Sequence, residues 1–88
     1  MYKIEYHKKV VKEIKNIKES KLDTKLKSLI EILKTNPFQN PPPYEKLMGD
    51  LQDLYSRRIN IKHRLVYQVY QKEKIVKIIS LWTHYENI

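Results

Sequence analysis

All four prolines of the 88-residue chain lie between positions 37 and 43, in the run Pro37-Phe38-Gln39-Asn40-Pro41-Pro42-Pro43. Proline lacks the backbone donor and fixes its own φ, so this run can be neither helix interior nor central strand. It is a stiff connector, and the chain on either side of it has a different periodicity.

Before the connector, Tyr2 to Tyr6 alternates, with Tyr2, Ile4 and Tyr6 on one face, as in a half-buried strand. Val10, Val11, Ile14 and Ile17 then follow helical spacing, with Lys8, Lys9, Lys12, Lys15 and Lys18 on the opposite side. Ser20, with Asp23 three positions later, predicts an N-cap opening a second helix. Leu22, Leu26, Leu29, Ile30 and Leu33 form its apolar stripe, and Asn36-Pro37 stops it. Two helices with so short a join form an antiparallel hairpin.

After the connector, Leu54 to Asn60, His63 to Tyr70 and Ile75 to Trp82 read as strands rich in Ile, Val and Tyr. Asn60-Ile61-Lys62 and Gln71-Lys72-Glu73-Lys74 are the expected turns. The order strand, helix, helix, then a three-stranded antiparallel meander predicts an α+β fold with a four-stranded sheet. Neither helix can bury its stripe alone, so both are expected on one face of the sheet, leaving the other open for function. The length implies a single domain over residues 1–88.

The chain has no cysteine, which excludes a disulfide framework and a thiolate zinc site. No apolar run is long enough to span a bilayer, and the start Met1-Tyr2-Lys3-Ile4-Glu5 lacks a signal-peptide core, so a cytoplasmic protein without a membrane partner is expected. The net charge of +8 is shared by both halves and favours a polyanionic partner. Seven tyrosines and a tryptophan tilt that choice toward nucleic acid, since aromatic faces stack on unpaired bases.

Fifteen of the eighteen basic residues are lysines, yet all three arginines fall in Ser56-Arg57-Arg58-Ile59-Asn60-Ile61-Lys62-His63-Arg64. A planar guanidinium grips phosphate in two directions, whereas lysine is a hydrated point charge, so this clustering suggests phosphate handling. Arg57 and Arg58 must point to opposite faces of a regular strand; one of them is structural or a bulge intervenes. Metal-free RNA cleavage needs a base near the 2′-hydroxyl, a cation on the phosphate and an acid at the leaving 5′-oxygen. Glu45, the arginines and His84 supply one group of each kind. His63 reads as structural or substrate-contacting, and His7 as a cap or an exposed residue. Tyr55, Tyr67, Tyr70 and Tyr85 divide between stacking surfaces and core, with Tyr67 the best candidate for core. The histidines lack metal-ligand spacing, so no metal is expected.

The run Tyr44-Glu45-Lys46-Leu47-Met48-Gly49-Asp50-Leu51, with Tyr55-Ser56-Arg57-Arg58-Ile59, His63-Arg64-Leu65-Val66-Tyr67 and the terminal His84-Tyr85, closely resembles the YoeB/Txe family of the RelE/ParE toxin superfamily. The resemblance implies a RelE-like fold and a ribosome-dependent mRNA interferase. It implies Glu45 as general base, Arg64 stabilising the phosphorane and His84 as general acid, with Tyr85 matching a C-terminal tyrosine. The chemistry would be 2′-hydroxyl attack giving a cyclic phosphate, with no cofactor. Arg57, Arg58, His63 and Tyr85 are the expected RNA contacts. The expected partners are mRNA on the bacterial ribosome, an acidic YefM/Axe-like antitoxin and a second copy of the chain. Two departures stand out: Met48 replaces a lysine found in a well-known member, and Glu86-Asn87-Ile88 extend past the tyrosine.

Two other readings compete. A ParE-like toxin of the same fold would poison DNA gyrase without cutting RNA, but it gives no reason for glutamate, arginine and histidine to occur together. A generic basic RNA-binding domain would bind without producing cleavage.

Overall fold

In the computed structural model, which describes residues 1–47 and 54–81, the elements run β1 (Lys3–Tyr6), α1 (Lys8–Glu19), α2 (Asp23–Thr35), β2 (Glu45–Lys46), β3 (Leu54–Arg58), β4 (Arg64–Tyr70) and β5 (Ile75–Ser80). His7 caps α1, its Nδ1 accepting from the Lys9 amide at 3.2 Å. Within α1, Val10 and Ile17 are fully buried, whereas Val11 is 65 % exposed and drops out of the expected stripe. In α2 the stripe holds, with Leu26, Leu29 and Leu33 buried and Leu22 and Ile30 packed at its margin.

Ser20 does not open α2; it closes α1, its amide donating back to Asn16 O at 3.0 Å. Lys21 enters the left-handed region at φ 60°, which lets the Lys21 amide reach Lys18 O and the Leu22 amide reach Ile17 O, both at 3.0 Å. These two bonds form a Schellman motif, with Leu22 supplying its customary apolar contact. Leu22 then precedes α2 without any side-chain cap, and Asp23 places its charge in the first turn.

Among the described residues the sheet has five strands in the order β1-β5-β4-β3-β2, one more than the sequence predicts. The extra strand is Glu45–Lys46, paired antiparallel to β3 through Glu45↔Ser56 and Lys46↔Tyr55. β3, β4 and β5 form the expected antiparallel meander, while β1 runs parallel to β5 across the helical hairpin. The β3–β4 connection is longer than predicted: it takes residues 59–63, with the Asn60 side-chain oxygen accepting from the Lys62 and His63 amides at 2.9 and 2.7 Å. The expected end of the last strand at Trp82 lies outside the described residues.

Strand parity sorts the sheet into two faces. Tyr55 and Arg57 of β3, Leu65, Tyr67 and Val69 of β4, and Val76 and Ile78 of β5 share a face, as their register requires. The apolar members of this set pack with Val10, Ile17, Leu26, Leu29 and Leu33, so both helices cover one face and the core lies between. The second face is open only in part, since Ser56 and Val66 on it are buried while Arg58 and Tyr70 are exposed.

Candidate active site

Two side chains of the sheet, Arg57 and Tyr67, fix the connector by hydrogen bonds. Arg57, on the helix-covered face, donates from Nη1 to Pro42 O at 2.6 Å and from Nη2 to Pro37 O at 3.0 Å and Gln39 O at 2.8 Å. Its guanidinium carbon also lies 5.0 Å from the centre of the Tyr44 ring. Around it, Phe38 and Tyr44 both make edge contacts with Tyr55, which stacks on Tyr67 at 5.8 Å. Tyr67 donates its hydroxyl to Pro37 O at 2.9 Å. Burial pushes the Tyr67 phenol up to about 12, with the Arg57 charge pulling the other way, so it stays a neutral donor at any physiological pH.

Arg57, expected from the sequence among the RNA contacts, is instead buried inside the protein. It is 1 % exposed, and its two terminal nitrogens are taken up by three carbonyls. Of the alternatives that parity leaves open, β3 is regular through Arg57 and Arg58, and Arg57 is the structural member of the pair.

With the connector held against the sheet, the next residues lead into β2 and set Glu45 directly opposite Ser56. A cavity of about 310 Å³ opens on the second face here, lined by Pro43, Tyr44, Glu45, Ser56, Arg58 and Arg64. Glu45, Arg58 and Arg64, the three of the expected site residues that line it, come from three different strands. Arg58 and Arg64 are cross-strand partners. Like charges directly opposite one another destabilise a sheet, an arrangement that an anion between them would relieve.

His63 is half-buried in the turn before β4, its carbonyl accepting from the Ile59 and Asn60 amides, and it is not among the cavity-lining residues. His84, Tyr85 and Met48 lie outside the described residues. Tyr70 is exposed and donates to the Gln68 side chain at 2.7 Å, on the second face beyond the cavity. Among the described residues no group of three or more His, Asp or Glu gathers as a metal site would require, and no helix is long and apolar enough to cross a membrane.

Sequence reasoning did not single out Ser56. It is 1 % exposed and its Oγ has no hydrogen-bond partner among the described residues, yet it forms part of the cavity wall beside Glu45. The signal that could have found it is its register opposite Glu45, which is visible only once the two-residue strand β2 is known.

Residues 2–85 match the family described as the YoeB-like toxin of bacterial type II toxin–antitoxin systems. This chain belongs to the YoeB family. Toxin YoeB of Synechocystis sp. is 35 % identical over 68 residues, 77 % of each chain. In solved structures, the toxin fold of the YoeB–YefM complex from Staphylococcus aureus superposes with a TM-score of 0.79 at 31 % identity, covering 97 % of this chain and 99 % of that one. The YoeB dimer from the same organism gives 0.80 at 31 % identity, covering 96 % and 98 %. The chain is thus a YoeB/RelE-type toxin of a toxin–antitoxin system, and the RelE-like α+β expectation holds apart from the added strand.

Proposed function

We propose that this YoeB-family toxin is an endoribonuclease that cuts mRNA in the decoding site of the ribosome and so stops translation. The observation that carries the reading is the convergence of one carboxylate, Glu45, and two facing arginines, Arg58 and Arg64, on a single cavity. Glu45 would take the proton of the 2′-hydroxyl as its oxygen attacks the adjacent phosphorus. Arg64, with Arg58 beside it, would carry the charge that builds on the phosphorane oxygens. The bond to the 5′-oxygen then breaks, His84 supplies that oxygen with a proton, and a 2′,3′-cyclic phosphate remains. Every atom and proton is accounted for by RNA and side chains, so the chemistry needs no metal or cofactor. Arg58, His63 and Tyr85 would position the message.

The whole chain would act as one domain in the cytoplasm, with its +8 charge the target of an acidic YefM-like antitoxin. A second copy of the chain is a further partner, as in the relative solved as a dimer. The gyrase-poison reading leaves the Glu45–Arg58–Arg64 grouping without a purpose. Mapping message 5′ ends after a brief pulse of expression tests the proposal: new ends at the decoding position are expected from the wild type and not from Glu45→Gln or His84→Ala. Growth arrest without new ends, accompanied by loss of supercoiling, would instead favour the gyrase reading.

A further inference from the structure

A second cavity, of about 230 Å³, lies against the first, and Pro43 and Arg58 line both. The charged residues in its wall are Lys25, Arg57 and Arg58, all cations, set among apolar side chains that include Pro42 and Leu29. Three cations around a small cavity whose wall, among the described residues, holds no carboxylate repel one another and raise the potential inside it.

Arg57 sharpens this. It is buried, yet among the described residues its hydrogen-bond partners are neutral carbonyls, and its Nε makes no hydrogen bond. Carbonyl dipoles orient the guanidinium but leave its net charge uncompensated, and a buried charge without a counter-charge is costly. Lys25 is exposed in the first turn of α2, an uncapped helix N-terminus whose dipole adds positive potential against the single Asp23 carboxylate of that turn. Among the described residues, the charge that the cavity wall lacks is a negative one.

We infer that this second cavity binds the RNA phosphodiester next to the scissile one, with Lys25 and Arg58 as its ligands and the Arg57 charge behind them. The inference rests on the endoribonuclease reading of the first cavity. Since Arg58 lines both cavities, a strand that places its scissile phosphate between Arg58 and Arg64 passes a neighbouring phosphate to the Lys25 side. Lys25 then positions the message and does not touch the reacting atoms.

The test is single-turnover cleavage on ribosomes programmed with messages in which each phosphate flanking the cut is replaced, one at a time, by a neutral methylphosphonate. Lys25→Ala should slow cleavage of the unmodified message about fivefold, the scale of one exposed ionic contact. At one flanking position the methylphosphonate should slow the wild type by a similar factor and slow Lys25→Ala no further. The fold is not at risk, because Lys25 is exposed on a helix that alanine favours, and an unchanged melting temperature verifies this. If the losses multiply at every position, or Lys25→Ala cuts at the wild-type rate, the second phosphate site is refuted. If Lys25→Ala weakens antitoxin binding while leaving every RNA arm unchanged, the cavity takes an acidic peptide and the proposal is equally overturned. Failure of the wild type to cut the unmodified message would instead bring down the endoribonuclease reading itself, and this site with it.

Discussion

Replacing Arg57 should unfold the protein before it affects RNA binding. Arg57→Met keeps most of the volume and removes three bonds to the carbonyls of Pro37, Gln39 and Pro42. Hydrogen bonds to a charged group contribute about 1.5–3 kcal/mol each, but these three share one guanidinium and their loss also removes a buried charge. Pro37 O retains the Tyr67 hydroxyl, whereas no other donor to Gln39 O or Pro42 O is seen among the described residues. A net loss of about 3–5 kcal/mol follows, against a total of roughly 4–13 kcal/mol for a domain of this length. At about 4–8 °C per kcal/mol, the melting temperature measured by circular dichroism should fall by at least about 12 °C. Arg57→Lys should recover little of this, since one ammonium cannot span acceptors at three points of the connector. A melting temperature for Arg57→Met within about 3 °C of the parent, together with weaker and less salt-dependent RNA binding, would refute the structural assignment and return Arg57 to the RNA-contacting set.

Glu45→Gln and Arg64→Ala should each lower the single-turnover cleavage rate by about 10²–10⁴-fold with little change in melting temperature, because both side chains reach the cavity and not the helix-covered core. Tyr67 should make the protein sensitive to alkali. Its folded pKa of about 12 lies above the unfolded value near 10, so its contribution is complete below pH 10 and is lost as pH rises toward 12. About 2–3 kcal/mol of stability in urea titrations should disappear across that window and be absent from the pH dependence of Tyr67→Phe. Lys21→Gly should raise stability by about 1 kcal/mol, since a non-glycine residue holds the left-handed position that ends α1, and a melting curve shifted downward would count against that account.

Most of the architecture was legible because period and punctuation agreed. The proline run separated the helical part from the strands, and the apolar stripe of α2 met the core as spaced. The misreadings occurred where one residue type serves two geometries. Ser20 fits an N-cap by spacing, but a left-handed Lys21 let the preceding helix claim it. Glu45 could be suspected of chemistry from its place after the prolines, yet its strand is two residues long and pairs with a partner eleven positions on, beyond the reach of local pattern. Parity alone separated Arg57 from Arg58. Which of them faced the helices depended on the register with β4, so clustering could not tell the arginine turned to the helices from the two that line the first cavity.

The parallel pairing of β1 with β5 bears on the order of assembly. Lys3 takes as its partner Ile75, about 70 positions later, and among the described residues β5 is the only strand beside β1. At about 5–20 residues per second of synthesis, the first strand made waits several seconds for its neighbour. The cavity strands β2, β3 and β4, by contrast, come from one continuous stretch at the opposite edge of the sheet. The edge that lines the first cavity can form from nearby sequence, while the edge that completes the sheet must await a contact made across nearly the whole chain.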